Sequence, residues 1–95
     1  MTEESDAEPG GPVVLVVDDV QANLDLIVRA LEPFGFRVVT AIDAEQAYAR
    51  ACATRPSLIL CDVRLRPTDG SALIERVKND PNLSSTPFLF IASTE

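Results

Sequence analysis

Three aspartates follow two apolar runs in this chain, at the point where each run ends. Asp18 and Asp19 come directly after the five aliphatic residues 13–17, and Asp62 comes directly after the apolar run 58–61. Open α/β folds bind their ligands at the carboxyl ends of parallel strands, so we expect the three carboxylates to meet in one pocket. Crowded carboxylates repel one another, and a hard cation such as Mg²⁺ relieves that repulsion. The sequence therefore predicts a magnesium site.

Each acidic position also has a purely structural explanation, because an aspartate after a strand can solvate a turn or cap a helix. The joint pattern favours a functional site, since both apolar runs end in acid and neither contains another charge. The sequence has no histidine, no GxxxxGK[ST] loop and no GxGxxG motif, which excludes nucleotide cradles, Ser-His triads and most zinc sites. A haloacid dehalogenase-type phosphatase would carry Asp-x-Asp after its first strand, but position 20 is Val20.

The composition is that of one small globular domain, with 95 residues of which 46% are hydrophobic and 24% charged. The net charge of −7 and the lack of a basic cluster argue against direct contact with nucleic acid. No apolar run approaches the roughly 18 residues of a membrane span and no signal peptide is visible, so we expect a cytoplasmic protein with no membrane contact. Cys52 and Cys61 match no metal-binding spacing, and we expect two reduced, mostly buried thiols.

The hydrophobic pattern predicts four strands alternating with three helices, which right-handed crossovers wind into a parallel sheet with helices on both faces. Residues 1–12 are expected to be a flexible acidic tail and residues 13–95 the folded domain. Asp43 and Gln46 predict a capping box before the second helix, and Asp69-Gly70 turns the chain into the third. The predicted strands are 13–17, 36–40, 57–61 and 88–91, the last with the apolar composition of a buried strand.

The chain resembles the receiver domain of two-component response regulators. The resemblance covers residues 13–95 and rests on Asp18-Asp19, on Asn23 four residues later, on Asp62 and on Asp69-Gly70. It implies a flavodoxin-like, doubly wound α/β fold with strand order 2-1-3-4-5. Only four of those strands and three helices fit the sequence, so we expect a C-terminally truncated receiver whose last helix, strand and helix are missing and whose fourth strand is an exposed edge.

The resemblance also implies a role for each aspartate. Asp62 would be the phosphoacceptor, taking a phosphoryl group from a histidine kinase or a phosphotransfer protein. Asp18, Asp19, Asp62 and the backbone carbonyl of Arg64 would hold Mg²⁺. A carboxylate can accept a phosphoryl group when a metal screens the incoming oxygens. The resemblance therefore implies a signalling module and not an enzyme.

Three positions depart from the family pattern. Arg66 stands where receivers usually have proline, and Ala92, followed by Ser-Thr at 93–94, stands where they usually have a hydroxyl. The only lysine, Lys78, falls on the third helix and not at the end of a fifth strand. Ala92 and the missing lysine favour a second hypothesis, a receiver-like interaction or dimerisation module that is not phosphorylated and associates through its last strand, whereas the three intact aspartates favour the phosphoacceptor. A small metal-dependent phosphatase is a third hypothesis, disfavoured because no acid or base other than the carboxylates is present.

Overall fold

The computed structural model describes residues 11–65 and 70–92, which form a parallel sheet with helices on both faces. The predicted alternation of four strands and three helices is confirmed, with the second and third strands each starting and ending one residue later than predicted. The elements are β1 (Val13–Val17), α1 (Gln21–Leu31), a short 3-10 helix (Glu32–Phe34), β2 (Arg37–Ala41), α2 (Ala44–Thr54), β3 (Leu58–Asp62), α3 (Gly70–Asn79) and β4 (Phe88–Ile91).

The strand order is β2-β1-β3-β4, with all pairs parallel, as the resemblance implied. β1 is buried along its whole length because it has a strand on each side and helices above and below. Val14 and Val16 pack with α1, whereas Leu15 and Val17 pack with α2 and α3. A strand covered on both faces has no polar alternation, and this is why the run before Asp18 is apolar throughout.

Local signals in the sequence set the ends of the helices. Gly35, with φ of 89°, ends the short 3-10 helix in the left-handed region that glycine enters without steric cost. At the start of α2, Asp43 accepts the backbone N–H of Gln46 at 2.8 Å, and the Gln46 side chain accepts the N–H of Ile42 at 3.1 Å. The predicted capping box is therefore present, with its return bond made one residue earlier than usual.

β4 lies at an edge of the sheet and pairs only with β3 among the described residues. Leu89 is 54% exposed and Phe90 42% exposed, so the burial suggested by their apolar composition is not realised. The exposure of this edge, expected from the resemblance, is confirmed.

The two thiols differ in their surroundings. Cys61 is buried as expected, but the expectation is wrong for Cys52, which is exposed on α2 next to the buried Ala51. Several sequence expectations concern residues outside the described ones, namely most of the acidic tail (1–10), the loop with Arg66 and Asp69 (66–69), and 93–95. Among the helices of the described residues, none is long and apolar enough to cross a membrane.

Candidate functional site

The carboxyl ends of β1 and β3 bring the three aspartates together. The two strands are adjacent and pair Val17 with Cys61, so the residues that follow, Asp18 and Asp62, meet at the same edge of the sheet. One carboxylate oxygen from each of Asp18, Asp19 and Asp62 lies within 4.8 Å of the others. The structure thus places in one cluster the three side chains that the sequence selected.

Asp18 is almost fully enclosed, with 1% of its surface exposed, and hydrogen bonds hold it from three directions. Its backbone N–H donates to the carbonyl of Ala41 at 3.0 Å, which fixes the end of β1 against β2. Its Oδ1 accepts the backbone N–H of Val20 at 2.9 Å, and its Oδ2 accepts the side-chain amide of Asn23 at 3.2 Å. Such bonds offset part of the cost of burying a carboxylate.

Asp62 is 4% exposed, and among the described residues its side chain is held through one of its two oxygens. Its Oδ1 accepts the backbone N–H of Arg64 at 3.0 Å, and its backbone carbonyl accepts the N–H of Leu65 at 3.2 Å. Within the described residues, no hydrogen bond reaches Oδ2. The turn after β3 therefore fixes the orientation of this carboxylate while its second oxygen has no protein donor there.

The thiol of Cys61, next to the cluster, has a raised pKa. Burial raises the pKa of Cys61 to about 12, and the charges of Asp62 and Asp18 add to this shift. The thiol stays protonated at neutral pH and lies 3.4 Å from the carbonyl of Asp62, to which it donates. It is therefore no candidate for nucleophilic chemistry, because the reactive form of cysteine is the thiolate.

The chemistry of this donor set fits a hard divalent cation. Carboxylate oxygens are the ligands of Mg²⁺ and Ca²⁺, and buried charges in proteins are paired or coordinate metals. The turn after β3 lies beside the cluster, because the backbone N–H of Arg64 in that turn donates to Asp62. The role of the Arg64 carbonyl as a further ligand stays a prediction.

Asn23 and the Val20 amide are contacts of the site that sequence reasoning did not assign. The family pattern includes Asn23 but predicts no contact or function for it. Its place as the third residue of α1, five residues after Asp18, was the available signal, because the first turn of a helix faces the end of the strand before it.

Of the three departures noted in the sequence, Ala92 and Lys78 lie on described residues and Arg66 lies outside them. The register pairs Ile91 with Asp62, so Ala92 follows at the rim of the site and contributes no hydroxyl. Lys78 donates its ammonium group to the carbonyls of Ser84 and Thr86, each at 3.2 Å. It holds the connection between α3 and β4 and lies away from the aspartates.

An open groove of about 790 Å³ runs along β2 between α1 and α2. Its walls carry both acid and base, including Asp25, Arg29 and Arg50, but none of the three clustered aspartates. The guanidinium of Arg50 donates to the carbonyl of Thr40 within it. The groove and the aspartate cluster are therefore different places, and the cluster, with its three carboxylates, is the better candidate site.

Comparison with known proteins agrees with this geometry. A family model described as the response regulator receiver domain matches residues 14–95. Response regulator PleD of Caulobacter vibrioides is 34% identical over 82 residues, which cover 86% of this chain and 18% of PleD. This chain thus spans less than a fifth of the length of that relative.

Solved structures share the fold. Chemotaxis response regulator CheY4 of Vibrio cholerae aligns with a TM-score of 0.80 and 29% identity, covering 84% of this chain and 67% of CheY4. The N-terminal domain of a response regulator receiver protein from Methanoculleus marisnigri aligns with a TM-score of 0.79 and 38% identity, covering 82% of this chain and 63% of that one.

Proposed function

Because the chain belongs to the response regulator receiver domain family, we propose that it takes a phosphoryl group onto Asp62 in a two-component phosphorelay. The observation that carries the proposal is the cluster of Asp18, Asp19 and Asp62, with one oxygen of each within 4.8 Å of the others. The donor is a phosphohistidine on a histidine kinase or a phosphotransfer protein in the cytoplasm. The domain acts as a signalling module and needs no contact with nucleic acid or membrane. In this proposal residues 13–95 are the receiver domain and residues 1–12 are an acidic tail that precedes it.

The geometry of Asp62 suits the acceptor role. Its Oδ1 is fixed by the N–H of Arg64, and its Oδ2, without a donor among the described residues, is the oxygen that attacks phosphorus. The new bond joins Oδ2 to phosphorus, the bond from phosphorus to the imidazole nitrogen breaks, and the electron pair leaves with the imidazole. The low exposure of Asp62, 4%, limits attack by water on the acyl phosphate.

The carboxylates of the cluster fit Mg²⁺, which Asp18, Asp19, Asp62 and the backbone carbonyl of Arg64 would hold. When bound there, the metal would supply positive charge to the phosphoryl oxygens. The residues of the chain keep the carboxylates in place: the N–H of Val20 binds Asp18 and the N–H of Arg64 binds Asp62.

A second candidate function is self-association through β4, and one observation favours it. The outer edge of β4 is unpaired within the described residues, and Leu89 and Phe90 on it are exposed. Uncovered apolar edge strands pair with other strands, and the same edge on a second copy is a suitable partner. In this case the domain would be an interaction module independent of phosphorylation.

Phosphoryl labelling tests the first function. The 95-residue chain is incubated with acetyl phosphate or a phosphohistidine protein, with and without Mg²⁺, and intact mass and peptide mapping locate the label. Labelling is expected to be slow, because Ala92 offers no hydroxyl and Lys78 is bonded elsewhere. Asp62→Asn should abolish labelling, since an amide is not a usable nucleophile. Asp25→Asn, which changes an exposed carboxylate on α1, should leave labelling intact.

Two results would overturn the acceptor role. One is label that persists in Asp62→Asn at the same rate as in the parent chain. The other is a chain that folds and binds Mg²⁺ but takes no label from either donor, which would favour the interaction module.

A further inference from the structure

The first turn of α1 reaches back and holds one carboxylate of the cluster. Asn23, the third residue of α1, places its amide nitrogen 3.2 Å from Oδ2 of Asp18. The N–H of Val20 occupies Oδ1 at 2.9 Å. Both oxygens of a carboxylate that is 1% exposed are therefore fixed by the segment between β1 and α1.

α1 has no side-chain cap of its own. Val20 is the residue before its first turn and cannot accept a hydrogen bond through its side chain, and the first turn carries no acidic residue. The carbonyl of Val20 accepts the N–H of Asn23 at 3.0 Å and that of Leu24 at 3.3 Å. The carboxylate of Asp18 thus binds the start of α1 at two points, the backbone N–H of Val20 just before the helix and the side chain of Asn23 in its first turn.

These contacts make Asp18 a shared part of the metal site and of the helix. We propose that Asn23 is a positioning residue, which holds Asp18 in the cluster for a divalent cation and couples the first turn of α1 to the occupancy of that site. The inference rests on the metal site of the proposed function. It concerns a residue that touches no metal or phosphoryl group and acts only through Asp18.

The physical reason is the repulsion inside the cluster. Without a donor on Oδ2, Asp18 would lower its energy by rotating away from Asp19 and Asp62. A charge-assisted bond from an amide opposes that rotation before any cation arrives. Groups that orient metal ligands in this way typically change metal affinity by 10- to 100-fold when they are removed.

Mg²⁺ alone is the probe, titrated into the 95-residue chain by calorimetry. Asn23→Ala should weaken Mg²⁺ binding about tenfold. Gln21→Ala is the matched control, because Gln21 donates its amide to the exposed Asp25 carboxylate at 3.1 Å on the same helix. Loss of that surface bond should change the Mg²⁺ affinity by no more than about twofold.

A second comparison separates the amide from the shape of the side chain. Asn23→Leu keeps the branched shape of the side chain and has no donor, whereas Asn23→Gln keeps the amide on a longer chain. The Gln variant should bind Mg²⁺ more tightly than the Leu variant. The Leu and Gln variants show whether the amide supports Mg²⁺ binding even where Asn23→Ala alters the fold. Far-UV circular dichroism would detect such an alteration.

Amide hydrogen exchange tests the coupling to α1. Mg²⁺ should slow exchange at 21–24 in the parent and in Gln21→Ala, and it should have a much smaller effect in Asn23→Ala.

The outcomes distinguish this inference from the function it rests on. A parent chain that binds Mg²⁺ while Asn23→Ala and Gln21→Ala bind it equally well would overturn the role of Asn23 alone. A folded parent chain that binds no Mg²⁺ would overturn the metal site, and the role of Asn23 with it. Equal exchange protection in the parent and in Asn23→Ala would overturn the coupling.

Discussion

Tyr48 of α2 donates its phenolic hydroxyl to Oδ2 of Asp80, directly after α3, over a distance of 2.5 Å. The other oxygen of Asp80 accepts the N–H of Asn82 at 2.9 Å, and the guanidinium of Arg76 lies 4.1 Å from the centre of the tyrosine ring. The bond is the largest cause of the raised pKa of Tyr48, about 12, to which Cys52 and burial add, and it lowers the pKa of Asp80. It joins the two helices on the face of the sheet opposite α1.

The ionisation of Tyr48 is a direct measure of this bond, since the chain has one tyrosine. Spectrophotometric titration of the folded chain should place the pKa near 12, and Asp80→Asn should move it toward the ordinary value of 10.0. The raised pKa means that the bond stabilises the fold fully below pH 10 and is lost as pH rises toward 12. Asp80 has a lowered pKa, so its contribution is present above the ordinary carboxyl pKa and is lost as pH falls through its own lowered value. A folded parent that titrates near pH 10, or no change in Asp80→Asn, would contradict the assignment.

Much of the fold was predictable because its signals are local. Five aliphatic residues in a row required a strand buried on both faces, and Asp43 with Gln46 marked the start of α2. The one-residue displacement of β2 and β3 was not predictable, because strand ends depend on pairing with β1. The exposure of Cys52 was missed although the sequence carried the signal, because the helical spacing of Ala47 and Ala51 already marks the buried side of α2.

The acidic residues of the site were predictable from the sequence, but the hydrogen-bond donors that hold them in place were not. Topology alone brings Asp18 and Asp62 to one edge, since both end neighbouring parallel strands. The bond from Asn23 to Asp18 depends on how α1 leaves the strand, which hydrophobic spacing does not specify. The same holds for the N–H of Arg64, whose direction is set by the turn after β3.

A side chain at Gly70, the first residue of α3, should destabilise the fold. A Cβ there would lie 2.6 Å from Cε1 of Phe90 and 3.2 Å from both the carbonyl of Asp62 and the sulfur of Cys61. Alanine gains about 0.5 to 1 kcal/mol over glycine in a helix, but overpacking typically costs about 1 to 3 kcal/mol. We expect Gly70→Ala to lower the free energy of unfolding by about 1 kcal/mol in urea denaturation.

A double-mutant cycle with Phe90→Ala checks the cause of that loss. Removal of the ring takes away the closest contact, so Gly70→Ala should cost less in the Phe90→Ala background. Gly35→Ala is the control: it has φ of 89° and open space around it, so its cost should come from backbone strain and be independent of Phe90. Strictly additive effects of the Gly70 and Phe90 substitutions would show that the contact with the Phe90 ring is not the cause of the lost stability.

The exposed edge of β4 should make the 95-residue chain self-associate. Leu89 is 54% exposed on that edge, and a lysine on an edge strand discourages strand pairing. Sedimentation velocity at several concentrations should show dimers or larger species of the parent and mostly monomer for Leu89→Lys. Phe34→Lys, at a residue that is 76% exposed outside β4, should associate like the parent. A parent that stays monomeric at high concentration would count against pairing through this edge.

Mg²⁺ should stabilise the parent chain. It should also reverse the order of the melting temperatures of the parent and the Asp62→Asn variant. Binding to the folded state alone adds about 2.7 kcal/mol at a hundredfold excess over the dissociation constant, which raises the melting temperature of a domain of this size by on the order of 10 °C. Without metal, Asp62→Asn should melt above the parent, because it removes one of three crowded charges. With millimolar Mg²⁺ it should melt below the parent, because it has lost a ligand, whereas Asp25→Asn should follow the parent in both conditions. If Mg²⁺ raises the melting temperature of Asp62→Asn as much as that of the parent, the cation binds elsewhere and the cluster is not its site.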